Sequence, residues 1–321
     1  MFQGQTQDGY PINVPFSFHS YNIIKYLGCG STCVVLLVQD QNSNQLFSAK
    51  IMARKDIENR NMVNSICNEV KVLQMINHPH IIKLIEYFEI KNQFEEEYYV
   101  IITEYCPNGD LLTYATTNGF KSESEKKKII QGFLQAIAYL HANGISHGDI
   151  KSENILLDQN WSPKLCDFGF CRISAVGDEH NKNGTLYYTA PELFQKGLFD
   201  TFKSDIYAIG ITLYSLSELQ FPFRDGDQNF IVKQIVSGCL SIRSNMDQIL
   251  KKLVTKCTSM DPKKRPSIED ILHDDYFTCE KQYPCKINNF STKDWMNIFN
   301  EKSNDDDFVF NSFDDMTRYE F

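Results

Sequence analysis

Between residues 147 and 169 the sequence gathers groups able to handle a phosphoryl. His147-Gly148-Asp149-Ile150-Lys151-Ser152-Glu153-Asn154-Ile155-Leu156 is followed by Asp167-Phe168-Gly169. A carboxylate, a lysine and an amide fall within six residues, and a second carboxylate stands thirteen residues beyond the amide. Together they supply a base, a charge for a phosphate oxygen and two hard oxygen donors for a metal ion, which is what phosphoryl transfer requires. Upstream, Gly28-Cys29-Gly30-Ser31-Thr32-Cys33-Val34-Val35 carries two of the glycines of a phosphate-covering loop. The run that follows it, Val34–Val38, reads as a strand, where a dinucleotide-binding fold would need a helix. A hairpin folding over phosphates fits, and a nucleotide-dependent oxidoreductase is excluded.

The elements that must position these groups fall into two parts. From Tyr21 to Tyr105, apolar and β-branched runs at Tyr21–Leu27, Val34–Val38, Leu46–Met52, Ile81–Ile90 and Tyr98–Thr103 predict an antiparallel sheet. Val63, Ile66, Val70, Leu73 and Ile76 recur at helical spacing until His78-Pro79, predicting one helix against the sheet. Lys50 ends one strand and Glu69 lies nineteen residues on, within that helix, so the two are expected to pair. After Pro107-Asn108-Gly109 the period becomes helical. Ser122-Glu123-Ser124-Glu125 forms a capping box, and further helices are expected at Ser204–Leu219, Asn229–Gly238, Gln248–Ser259 and Ser267–His273.

Composition bounds the function classes. Of 321 residues, 42% are apolar and 23% charged, as in an ordinary globular protein with a real core. A formal charge of -9 argues against nucleic acid or an anionic membrane as the main partner, since both demand concentrated Lys and Arg. The ten cysteines include no C-x-x-C pair, so zinc and thioredoxin-type chemistry are not suggested and free thiols in a reducing compartment are expected. No run of about 18 apolar residues and no basic-then-apolar start is found, so the chain is expected to be intracellular, cytoplasmic and without a membrane span.

The ordered set resembles a eukaryotic protein kinase domain of the serine/threonine type over about residues 21–277, loosely similar to the calcium/calmodulin-dependent group. Ala190-Pro191-Glu192 resembles the end of an activation segment. Ser204-Asp205-Ile206-Tyr207-Ala208-Ile209-Gly210 resembles a buried helix with an anchoring Asp, and Asp261–Pro266 the motif whose Arg265 pairs with Glu192. The resemblance implies an α+β, bilobal fold, with a small antiparallel β lobe carrying one helix (21–103), a hinge (104–109) and a larger, mainly helical lobe (110–277). Residues 1–20 are expected as an N-terminal extension and 278–321 as a tail. The resemblance also implies ATP and Mg²⁺ as cofactors and a Ser/Thr-bearing protein as substrate, and it leaves the regulatory partner open.

By the same resemblance, the backbone of Leu27, Gly28, Cys29, Gly30, Ser31, Thr32, Cys33, Val34 and Val35 would cover the phosphates, and Lys50, held by Glu69, would grip them. Val35, Ser48 and Leu156 would sandwich adenine, with Glu104 to Cys106 as the hinge and Thr103 as its gatekeeper. Asn154 and Asp167 would hold Mg²⁺, Asp149 would take the hydroxyl proton and Lys151 would meet the γ-phosphate. Thr185, in Gly184-Thr185-Leu186-Tyr187-Tyr188, would face the substrate, and Asp110 and Glu153 would accept basic residues upstream of the phosphoacceptor.

Three residues depart from the pattern. Gly148 stands where an arginine normally precedes the catalytic Asp, Cys33 replaces the third glycine, and Ser48 replaces an alanine. Without the guanidinium at 148, the charge-pair switch on a phosphorylated loop cannot form, so basal activity is expected not to depend on Ser174, Tyr187, Tyr188 or Thr189 being phosphorylated. Because Lys50, Glu69, Asp149, Asn154 and Asp167 are all present, an active enzyme is the leading reading and a nucleotide-binding scaffold the alternative. From Glu301 to Phe321, seven acidic residues face two basic ones, including the weak docking-like Phe310-Asn311-Ser312-Phe313.

Overall fold

The structure is a computed structural model and describes residues 1–173, 176–177 and 185–278. Ser174, Gly184 and nearly all of the tail lie outside the described residues. The chain divides into two compact units, Met1–Tyr114 with Ile155–Gly169, and Ala115–Asn154 with the residues from Phe170 onward. The first unit thus takes in residues 110–114 and 155–169, which the expected lobe bounds gave to the second.

Unit one is built on a six-stranded antiparallel sheet. Its strands are β3 (Ser17–Phe18), β4 (Tyr21–Cys29), β5 (Val34–Asp40), β6 (Leu46–Ala53), β7 (Leu84–Lys91) and β8 (Glu97–Glu104), in the order β3-β4-β5-β6-β8-β7. Its central strands are apolar on both faces because both faces are covered. On one, Met52, Tyr99 and Ile101 meet Ile57 of α1 (Arg54–Asn59) and Ile66 and Val70 of α2 (Val63–Met75). The expectation of a single helix is corrected here: α1 precedes α2, too short to leave a helical period in the sequence.

The other face is covered by the chain's beginning. Residues 1–20, expected as an extension, form β1 (Phe2–Gln5) and β2 (Pro11–Val14), paired antiparallel, together with β3. Ile12 and Val14 are fully buried against Val34, Leu36, Val38, Ala49, Ile51, Val100 and Ile102. Full burial of such side chains contributes about 1.5–3 kcal/mol each. The signal was present as alternation in Ile12-Asn13-Val14 and in strands too apolar for one open face. Two further strands of this unit, β9 (Ile155–Leu157) and β10 (Pro163–Leu165), form a hairpin held beside the hinge, where Leu157 N–H donates to Gly109 O (2.8 Å).

Unit two is helical. The described helices are α3 (Leu111–Thr117, entering from unit one), α4 (Glu123–Ala142), α5 (Thr201–Glu218), α6 (Gln228–Ser237), α7 (Gln248–Cys257), α8 (Ile268–Leu272) and α9 (Asp275–Thr278). α4 starts where the sequence predicts, because Ser122 Oγ accepts the Glu125 amide. α5 begins three residues earlier than expected, capped by Asp200 on the Lys203 amide, and is buried along nearly its whole length. Two short strands, β11 (Val176–Gly177) and β12 (Phe199–Asp200), pair just before it. Arg265, 2% exposed, makes a bidentate pair with Glu192 (2.6 and 2.7 Å) and lies over the Tyr207 ring. Among the described residues, no helix is long and apolar enough to cross a membrane.

Candidate active site

The expected functional residues fall into two groups, one in each unit. In unit one, β6 delivers Lys50 and α2 delivers Glu69, because the sheet register and the helix's apolar stripe turn both toward the same side. Lys50 Nζ lies 3.0 Å from Glu69 Oε2 and 3.4 Å from Asp167 Oδ1. Burial alone would lower the Lys50 pKa, but the carboxylates of Asp167 and Glu69 outweigh it and hold the amine well above its ordinary range. Lys50 is therefore a fixed cation.

Asp167 adopts φ +62°, a left-handed conformation uncommon for a non-glycine residue and a form of backbone strain concentrated at functional positions. Two residues on, Gly169 O accepts the hydroxyl of Ser65, near the start of α2, at 2.7 Å. A Cβ at Gly169 would come within 2.8 Å of that hydroxyl oxygen, so a larger residue there would have to displace the Ser65 side chain. Sequence reasoning missed Ser65, since a serine inside a helical period carries no motif.

The glycine-rich segment joins β4 to β5, with Cys29 opposite Val34 and Gly28 opposite Val35. Gly30 N–H donates to Cys33 O (3.0 Å), closing the turn. Cys33 is buried, and burial pushes its thiol up despite the Lys50 charge, which disfavours a reactive thiolate beside exposed Cys29. Ser48 pairs with Thr103 across β6 and β8, next to the hinge. Glu104 receives Lys164 (3.0 Å) and the Lys83 amide (2.8 Å) on its carboxylate. Cys106 is buried, which pushes its thiol to about 12. Leu156 is reached by an isolated bridge from Asp110.

In unit two, a hydrogen-bonded network surrounds Asp149. Lys151 Nζ lies 2.8 Å from Asp149 Oδ2 and 2.7 Å from Thr185 Oγ1. Thr185 donates to Asp149 Oδ1 from its hydroxyl (2.9 Å) and its amide (3.1 Å). Asn154 Nδ2 donates to Asp149 Oδ2 (2.9 Å) and to the Asp149 carbonyl (2.8 Å). The loop itself hangs on Asp205 of α5, which accepts the amides of His147 (2.8 Å) and Gly148 (3.0 Å) and meets His141 Nε2 at 2.9 Å. Gly148 adopts φ +81°, and a Cβ there would lie 2.5 Å from Phe170 O. The backbone at 148 thus selects glycine independently of any role for an arginine.

The two acids expected to receive a substrate's basic residues both have local partners. Asp110 caps α3 through Thr113 N–H (2.8 Å) and Oγ1 (2.7 Å). Glu153 Oε2 accepts Ser152 Oγ (3.0 Å) and the Tyr188 hydroxyl (3.2 Å).

A two-lobed α+β chain with a lysine–glutamate pair under a glycine-rich hairpin and an Asp–Lys–Asn loop is the arrangement of the protein kinases. The family model for the protein kinase domain matches residues 21–277, and the chain belongs to that family. Among its relatives it is similar to sucrose non-fermenting protein kinase 1 of Fusarium virguliforme, 33% identical over 262 residues, covering 81% of this chain and 37% of the relative. Serine/threonine-protein kinase SIK2 of Gallus gallus is 32% identical over 262 residues, covering 81% and 32%. Serine/threonine protein kinase OSK3 of Oryza sativa subsp. indica is 30% identical over 259 residues, covering 80% and 50%. The chain therefore spans a third to a half of the length of these relatives.

Proposed function

We propose that the chain is a protein serine/threonine kinase that uses ATP with Mg²⁺ and transfers the γ-phosphoryl to hydroxyls of protein substrates. The observation that carries the reading is the network on Asp149. One carboxylate oxygen faces the Thr185 hydroxyl and the other Lys151, so a carboxylate and an ammonium are held side by side, the pair that an incoming hydroxyl and a phosphate oxygen would call for. Asp149 orients the acceptor hydroxyl and takes its proton. Lys151 meets the transferred group's negative charge, and Thr185 holds both in register.

The residues present suit a hard divalent ion. Asp167 and Asn154 offer oxygen donors, and no group of three or more His, Cys, Asp or Glu assembles among the described residues. Mg²⁺ in such enzymes takes one or two protein oxygens and completes its shell with phosphates and water, offsetting charge on the transferred group. Lys50, held by Glu69, would grip the phosphates under the glycine-rich turn. The relatives named as serine/threonine protein kinases support the acceptor class.

Two finer readings accompany this one. Asp110 and Glu153 favour substrates with Arg or Lys upstream, because a carboxylate has lone pairs beyond those its local donors use. Activity is independent of phosphorylation at Tyr187, Tyr188 or Thr189, because the loop that carries Asp149 is tied to Asp205 by the His147 and Gly148 amides and residue 148 offers no guanidinium to a phosphate. Transfer from ATP·Mg²⁺ to a basic Ser/Thr peptide, with Asp149→Asn alongside, tests the main reading. Nucleotide binding without transfer in the unmutated chain would replace it with the scaffold. Loss of most activity on phosphatase treatment would overturn the second refinement.

A further inference from the structure

The first fourteen residues precede the stretch that matches the kinase family, yet they meet unit one at the glycine-rich segment and at the end of α1. The turn between β1 and β2 is tightly closed. Thr6 N–H donates to Tyr10 O (2.9 Å), Gly9 N–H to Thr6 O (3.0 Å) and Tyr10 N–H to Thr6 Oγ1 (3.0 Å), with Gly9 at φ +87°. From this turn the Gln7 amide points outward and donates to Gly30 O at 2.9 Å, in the middle of the glycine-rich segment. The next residue, Asp8, pairs with the Arg60 guanidinium, which also lies 4.9 Å over the Tyr10 ring. Arg60 caps the end of α1, just ahead of α2, the helix that carries Glu69. The fully buried Ile12 and Val14 fasten the hairpin itself to the sheet.

We propose that this hairpin is a positioning element for the glycine-rich turn of unit one. Gln7 N–H fixes the glycine-rich turn through Gly30, and Asp8 ties the same hairpin turn to the α1–α2 joint. A glycine-rich turn loses much conformational freedom when it closes on phosphates. A turn already held from outside loses less, so the hairpin raises nucleotide affinity without touching the nucleotide. The idea rests on the kinase reading for its functional readout only.

The test uses the full chain and Gln7→Pro, which deletes the one N–H, beside Gln7→Ala, which keeps it. The readouts are amide hydrogen exchange at residues 30–34 and the Kd of a non-hydrolysable ATP analogue with Mg²⁺. One backbone hydrogen bond corresponds to about a fivefold effect. Gln7→Pro should therefore speed exchange in the turn and weaken analogue binding by about that factor, raising KM for ATP while leaving kcat unchanged, and Gln7→Ala should do neither. If Gln7→Pro also speeds exchange at Ile12 and Val14, the hairpin itself is disturbed and Arg60→Ala decides. That variant should loosen the turn, and Arg60→Lys, which keeps the charge, should restore most of the protection. Unchanged exchange and unchanged Kd in both Gln7→Pro and Arg60→Ala would overturn the proposal. A chain that binds no analogue at all would defeat the kinase reading, and the exchange data alone would still decide the hairpin's role.

Discussion

The two groups of candidate functional residues, one in each unit, are built by different means. In unit one the charged groups come from far apart in the chain: Lys50 meets Glu69 across 19 residues of sequence and Asp167 across 117, through ion pairs that are partly open to solvent. In unit two, Asp149, Lys151 and Asn154 share one short loop, to which Thr185 is brought across 36 residues and Asp205 across 57. The first group depends on α2 and Ser65 for its geometry, so it can be loosened by movement of a helix. The second is fixed by short hydrogen bonds and by Asp205 beneath the loop, so it is preorganised before anything binds. A distributed ion pair suits adjustment, and a contiguous hydrogen-bonded loop suits an unvarying base.

That contrast can be broken by substitution. Asp149→Asn should lower transfer by about 10²–10⁴-fold while leaving the Kd of an ATP analogue unchanged, because general-base catalysis has that scale. Lys50→Ala should instead raise that Kd and lower turnover together, by about 10²-fold in kcat/KM, since the facing carboxylates of Glu69 and Asp167 lose their cation. If both variants moved the same kinetic constant, the division of labour would fail. Gly148→Ala should cost about 1–3 kcal/mol of stability by denaturant titration, from the left-handed backbone and the contact with Phe170 O. An unchanged midpoint would show that the loop relaxes freely. Thr185→Val should reduce kcat by about tenfold and Thr185→Ser far less, because the valine loses the hydroxyl between Asp149 and Lys151.

The same contrast governs how much could be read without a structure. Unit two's loop is contiguous, so Asp149, Lys151 and Asn154 were legible as a set, and Thr185 through the family resemblance. Lys50 and Glu69 were legible because a strand end and a helix could be inferred around them. Ser65 was not, since its role is defined by the carbonyl of Gly169, 104 residues away. The N-terminal hairpin left only the three-residue alternation of Ile12-Asn13-Val14, too short to assign by itself, and its meaning lies in the sheet face it covers. The requirement for glycine at 148 was also hidden. The sequence suggested a missing arginine, whereas the backbone supplies a steric reason in Phe170 O.

Glu153 offers the finest test, because it sits in the preorganised group yet is a candidate for binding substrate charge. Burial raises its carboxyl pKa above the ordinary 4.5, and nearby Asp149 adds to this, while Lys151, a backbone N–H and the Ser152 hydroxyl oppose it. A raised carboxyl binds its proton more tightly in the folded chain than in the unfolded one. Its contribution to stability is therefore fully present below pH 4.5 and is lost as pH rises through the folded pKa. Affinity for a peptide with an upstream arginine should move the opposite way and strengthen over the same window, because only the ionised form attracts the guanidinium. Glu153→Gln should flatten both profiles, measured as urea midpoints and peptide KM from pH 4 to 8. If the variant flattened the stability profile but left the peptide profile intact, Glu153 would be a structural acid held by Tyr188 and Ser152, and the basic preference would have to come from elsewhere.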